Sequence, residues 1–204
     1  GDNDNSTAVA RARLDGAPGA ERLGELQVIF RQSPKVASRL HFGSRLAFGN
    51  DGRLFITLGD RFSRKDDAQT LDNHMGKVVR IEADGKPATD NPFVSRAGAK
   101  AEIWSYGHRN IQGAALHPGS GELWTVEHGP QGGDELNVPA AGANHGWPVI
   151  TYGRNYGIGT KIGDGTERAD VAPPLRHWIP SIAPSGMAFL TSERYPGWTG
   201  SLFM

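Results

Sequence analysis

The chain contains no cysteine. That excludes disulfides, thiolate metal centres and a cysteine nucleophile. It also lacks any excess of charge, with 22 Lys plus Arg against 22 Asp plus Glu. No net field exists to recruit nucleic acid or an anionic membrane, and no basic block interleaves with aromatics, so nucleic acid is set aside as a partner. No apolar run approaches the length of a membrane span, and no secretory leader is visible. A Gly-x-Ser-x-Gly elbow and a P-loop are both missing, so serine-hydrolase and nucleotide-phosphate chemistry lack their main signals. No ligand spacing matches an EF-hand loop or a zinc site, and no stretch holds a helical period.

What is abundant is glycine, 28 residues, beside 13 prolines. With 37% hydrophobic and 22% charged residues, the composition is that of a folded globular chain. Turn formers between alternating apolar segments predict an all-β fold. Strands are expected at 7–14, 25–30, 45–48, 53–58, 77–81, 101–106, 114–116, 122–126, 187–190 and 201–203. Asn50-Asp51-Gly52 and Gly119-Ser120-Gly121 are expected hairpin turns. The pattern of Ala, apolar residue, Gly-bearing turn and Leu-aromatic recurs at Ala47, Ala115 and Ala188, a period of about 70 residues, longer than common propeller repeats. It predicts a β-propeller with long loops between strands; a β-sandwich with coincidental hairpins is the alternative. Gly1 to Asn5 is polar loop chemistry and Leu202-Phe203-Met204 is apolar. Both ends are therefore expected to lie inside a longer chain, making 1–204 one partial propeller domain truncated at both ends.

The densest cluster of chemically capable residues runs from Tyr106 to Trp147. Arg109 offers a planar fork of donors for a carboxylate or a developing oxyanion, and Asn110 adds an amide. The same arginine could equally pair with a carboxylate on the surface. Asp134 and Glu135 follow a Gly-rich turn, where carboxylates and exposed carbonyls suit a hard cation; an ordinary acidic turn is the other reading. His41 precedes a strand at Gly43, and an imidazole there either exchanges protons near neutral pH or serves structure alone.

These segments resemble the glucose/sorbosone dehydrogenases, the soluble quinoprotein sugar dehydrogenases. The resemblance is carried by His41-Phe42-Gly43-Ser44-Arg45-Leu46, Leu58-Gly59-Asp60, Met75-Gly76-Lys77-Val78-Val79-Arg80, Asp90-Asn91-Pro92-Phe93, Tyr106-Gly107-His108-Arg109-Asn110, Glu127-His128-Gly129-Pro130, Gly133-Asp134-Glu135 and Asn144-His145-Gly146-Trp147-Pro148. Each run is short; their order along most of the chain makes the match. His128, where glucose-specific members carry Gln, favours the aldose branch. The resemblance implies a propeller of about six blades with cofactor and substrate on one open face, a periplasmic or extracellular location, and an aldose substrate oxidised to its lactone. It implies pyrroloquinoline quinone and calcium as cofactors, and an external electron acceptor. His41 would be the general base and Arg109 the stabiliser of charge on the quinone oxygen, with Asn110, His128, Tyr156 and Asp134 also at the cofactor. Gly129 and Pro130 match positions whose carbonyls bind calcium in the glucose branch. Glu135 and His145 match a calcium site in the aldose branch, where position 145 is usually Tyr and contributes its carbonyl. The family's cofactor-binding Lys would follow just after Met204.

Two other functions are carried forward: a non-catalytic calcium-dependent propeller that binds a ligand on the same face, and a calcium-dependent propeller lactonase. Substrate choice is expected to lie in the loops 63–73 and 157–170.

Overall fold

The computed structural model describes residues 3–204. Its first strands are β1 (Ala8–Arg11), β2 (Leu14–Asp15), β3 (Arg22–Leu23) and β4 (Gln27–Arg31). β1 pairs with β4, and β2 with β3, all antiparallel. The single strand expected over 7–14 is thus two: a register shift between Val9 and Ala10 twists β1, and the chain then turns into the β2–β3 hairpin.

Two four-stranded antiparallel sheets follow. The first is β5 (Gly43–Phe48), β6 (Leu54–Leu58), β7 (Lys77–Ile81) and β8 (Ile103–Tyr106), side by side in that order. The second is β9 (Ile111–Leu116), β10 (Leu123–Glu127), β11 (Asp134–Asn137) and β12 (Arg176–Trp178). A last hairpin, β13 (Ala188–Phe189) with β14 (Leu202–Phe203), begins a third sheet. The first strands of successive sheets are neighbours: β5 lies against β9, and β9 against β13. Radial up-and-down sheets around a common axis are the architecture of a β-propeller. The expected all-β class holds, and the described residues form an open arc of it with no closed ring. They contain no α-helix, only a 3-10 turn at Lys65–Gln69.

Strand alternation builds the core. β6 is buried at every position. Leu54, Ile56 and Leu58 pack with Val79, Ile81 and Ile103 on one face. Phe55, on the other, joins Val78, Ile111 and Leu123, so that cluster glues one sheet to the next. Burying a side chain of this size stabilises by about 1.5–3 kcal/mol.

A buried cation steadies the loop beneath the site. Lys77 is fully buried and its Nζ donates to the carbonyls of Asp67, Ala68 and Met75. Burial pushes its ammonium down to about 7, against the pull of Asp67 and Asp72. Ala68 and Gly76 in turn accept from the backbone N–H groups of Gly107 and His108, the residues that lead into Arg109.

Candidate active site

His41 sits immediately before β5, and Arg109-Asn110 immediately before β9. These are equivalent corners of adjacent blades, where the first strand of each sheet starts. The His41 backbone is in the left-handed region at φ 50°, uncommon for a residue with a side chain. Gly59 makes room for it: a Cβ there would lie 2.2 Å from the His41 carbonyl oxygen and 3.0 Å from Asn110 Oδ1. Asn110 Oδ1 accepts from the Gly43 N–H at 3.2 Å, tying the two corners together.

The side chains continue that link. His41 Nδ1–H donates to Asp60 Oδ1 at 2.6 Å, leaving Nε2 with no hydrogen-bond partner among the described residues. Asp60 is 1% exposed. Its Oδ1 also accepts from Phe62 N–H at 2.8 Å, and its Oδ2 accepts from the Trp147 indole at 2.7 Å. The indole face lies under the Arg109 guanidinium, 5.3 Å from carbon to ring centre. The Arg109 carbonyl accepts from Asp60 N–H at 2.8 Å. Imidazole and guanidinium therefore belong to one connected cluster.

Arg109 is held from behind. Its N–H donates to Glu127 Oε2 at 2.6 Å. The other oxygen of Glu127 accepts from His108 Nδ1 at 2.9 Å and Asn137 Nδ2 at 3.0 Å. Ser105 and His108 Nε2 close the chain at 2.9 Å. The guanidinium spends only Nη1, on the carbonyls of His128 and Gly129. Nε and Nη2 make no hydrogen bond among the described residues, nor does Asn110 Nδ2. Unspent donors beside a free imidazole nitrogen suit an oxygen-rich anionic ligand next to an acidic hydroxyl.

A second feature lies behind Arg109. A cavity of about 10 Å³, the size of one water, is lined by Arg109, Gly129, Glu135 and His145 among others. It neighbours a larger one of about 540 Å³ that Glu135 and His145 also line. His145 is 5% exposed and stacks on His108 at 4.5 Å. Neither of its ring nitrogens has a hydrogen-bond partner among the described residues. Burial, then the neighbouring His108, holds it well below the usual histidine range. Burial and the Glu127 charge push Glu135 up to about 8. A carboxyl raised this way contributes stability that is complete below the unfolded value near 4.5 and is lost as pH rises through 8. Glu135→Gln removes that titration. In the presence of a chelator, its melting temperature should gain on the wild type steadily between pH 5 and pH 9 in a thermal-shift series; parallel curves would contradict the assignment.

Comparisons with known proteins place the chain in a family. The model for the family described as Glucose / Sorbosone dehydrogenase matches residues 1–204. The chain belongs to that family. It is 45% identical to the aldose sugar dehydrogenase YliI of Escherichia coli K12, over all of this chain and 54% of that protein. It superposes on the apo-form crystal structure of the soluble aldose sugar dehydrogenase from Escherichia coli with a TM-score of 0.92 at 45% identity, covering 97% of this chain and 56% of the other. The PQQ-bound aldose sugar dehydrogenase from Streptomyces coelicolor gives 0.72 at 32% identity, covering 91% and 50%. The chain thus spans about half the length of the relatives it matches.

Within this glucose/sorbosone dehydrogenase framework, the residues singled out by sequence divide. His41, Arg109 and Asn110 converge as described. His128 is held by Nε2–H donating to the Pro184 carbonyl at 2.8 Å. Gly129 belongs to a turn that only glycine fits, since a Cβ would meet the carbonyl oxygens of Gly132 and Gly133 at 2.3 Å. Pro130 packs on Gly153. Asp134 opens β11. Its carboxylate is fully buried and already accepts from Gly129 N–H, Ser181 Oγ, Ile182 N–H and Ala183 N–H. It braces two loops, with one donor on Oδ1 and three on Oδ2. Tyr156 is 61% exposed. Asp60 and Trp147 were missing as partners of the base. The Asp60 contact spans 19 residues and the Trp147 contact 87, beyond any local pattern.

Proposed function

We propose that the protein is an aldose dehydrogenase that uses pyrroloquinoline quinone, with an external acceptor taking the electrons onward. The observation that carries this reading is the free His41 Nε2 beside the unspent donors of Arg109 and Asn110. Oxidising an anomeric hydroxyl to a lactone removes a proton from the hydroxyl oxygen and a hydride from the carbon. His41 takes the proton at Nε2. Asp60 fixes the ring through Nδ1 and stabilises the imidazolium that forms. Pyrroloquinoline quinone, when bound, supplies the hydride acceptor. Arg109 and Asn110 bind and orient its anionic oxygens through Nε, Nη2 and Nδ2. The Arg109 charge favours negative charge developing there. The ring of Trp147 keeps water from the rear of the guanidinium.

Calcium is the second cofactor of this reading. Glu135, together with carbonyl oxygens in the 129–133 turn and at His145, would hold it, meeting its demand for hard oxygen ligands. The described residues bring together no group of three or more acidic or imidazole ligands, so carbonyls would supply most of the shell.

The test is reconstitution. The natural full-length protein, given pyrroloquinoline quinone and calcium, should reduce an artificial dye when aldoses are added. If a panel of aldoses elicits no cofactor-dependent dye reduction, the reading fails.

A further inference from the structure

We propose that Trp147 is a positioning residue for this reaction, joining the proton acceptor of one blade to the charge stabiliser of the next. The proposal rests on the dehydrogenase reading above. One indole makes both contacts: its N–H donates to Asp60 Oδ2 at 2.7 Å, and its face carries the Arg109 guanidinium at 5.3 Å. The residue is 7% exposed and cannot drift. Its own N–H donates to the Gly107 carbonyl at 2.9 Å, and its carbonyl accepts from Gln69 Nε2 at 2.7 Å. Ala68 and Ile162 pack against the ring.

Those restraints give the indole a defined task. Asp60 accepts three hydrogen bonds, from His41, Phe62 and Trp147. The first two fall on one oxygen and the indole alone occupies the other. Without it, the carboxylate is free to rotate about its bond to the chain, and the imidazole turns with it. A buried carboxylate oxygen stripped of its donor also loses a charge-assisted bond of the stronger kind. The stacked guanidinium is restrained by the same ring through a cation–π contact. Trp147 therefore links the two chemical groups through its N–H and its ring face.

Trp147→Phe keeps a ring and removes the N–H. Its kcat should fall about tenfold, the size expected for losing a hydrogen bond to a charged group. Its affinity for pyrroloquinoline quinone, by calorimetry, should stay within about twofold, because the face under Arg109 remains. Trp147→Leu should lose both. In an Asp60→Ala background, Trp147→Phe should cost nothing further, since the acceptor is gone. Multiplying losses in that background, or a Trp147→Phe enzyme with wild-type kcat, would overturn the proposal. If Trp147→Phe does not fold, 3-benzothienylalanine at position 147 keeps the ring outline without the N–H and is judged by the same criteria. A wild type inactive with every aldose would sink the dehydrogenase reading alone. The positioning role is then decided in cofactor-free protein: the nitrogen NMR resonance of His41 Nδ1, assigned by its disappearance in His41→Ala, must move in Trp147→Phe. An unmoved resonance rejects it.

Discussion

His41→Ala will lower the aldose-dependent kcat of the reconstituted full-length protein by about 10²–10⁴-fold, the range a general base supplies, while leaving quinone affinity nearly intact. The reason is local. His41 approaches the ligand face through Nε2 only, and its other nitrogen is committed to Asp60 at 2.6 Å. Removing the ring deletes the proton acceptor without opening a hole beneath Arg109, because the guanidinium is held by Trp147 and by the carbonyls of residues 128 and 129. Steady-state kinetics with cofactor titration separate the two effects. Turnover that survives the substitution would remove His41 from the chemistry. Added imidazole should restore part of the activity of His41→Ala, since the vacated space lies at the open face.

Arg109→Ala should be as damaging for a different reason. One preorganised donor to a developing charge is worth roughly 10²–10³-fold in kcat. Here the same side chain also holds down two backbone carbonyls, so cofactor affinity falls together with turnover. Arg109→Lys is the sharper comparison. It keeps the charge and loses the fork: an ammonium that still reaches the carbonyls has no second planar donor set to present. It should recover stability in a thermal melt and little of the kcat. A lysine variant with wild-type turnover would show that charge alone suffices and that the donor geometry is irrelevant.

The hairpins were readable because their signals are local. Asn50-Asp51-Gly52 and Gly119-Ser120-Gly121 sit between alternating segments, and β5–β6 and β9–β10 form on either side of them. β11 was not readable. It begins Asp134-Glu135, two carboxylates after a glycine run, which reads as a turn. It becomes a strand because Asp134 is satisfied by four donors from elsewhere in the chain and Glu135 pairs across to His177. β12 is three residues long and mostly exposed, with no apolar pattern to detect. At the site, the identities of His41, Arg109 and Asn110 came from a family resemblance. Their mutual placement is set by strand order, which brings residues 41 and 109 to adjacent corners. Tyr156 and Asp134 show what a motif leaves out, namely the surroundings of a side chain. One lies at the surface, and the other's oxygens accept from the scaffold.

The division of labour between blades has a further implication. His41 and Asp60 flank strands of one sheet, whereas Arg109 precedes the first strand of the next and Trp147 lies in the loop between β11 and β12. The reactive groups therefore meet across the joint between two sheets, where the Asn110–Gly43 and Trp147–Asp60 hydrogen bonds also cross. The wedge of Phe55, Val78, Ile111 and Leu123 that fills this joint acts as a spacer gauge. Trimming Ile111 to Val should cost about 0.5–1.5 kcal/mol of stability and shift the reach of the base across the joint as well. The outer strand β12 is mostly exposed and lies outside that joint, whereas β8 still reaches it through Trp104.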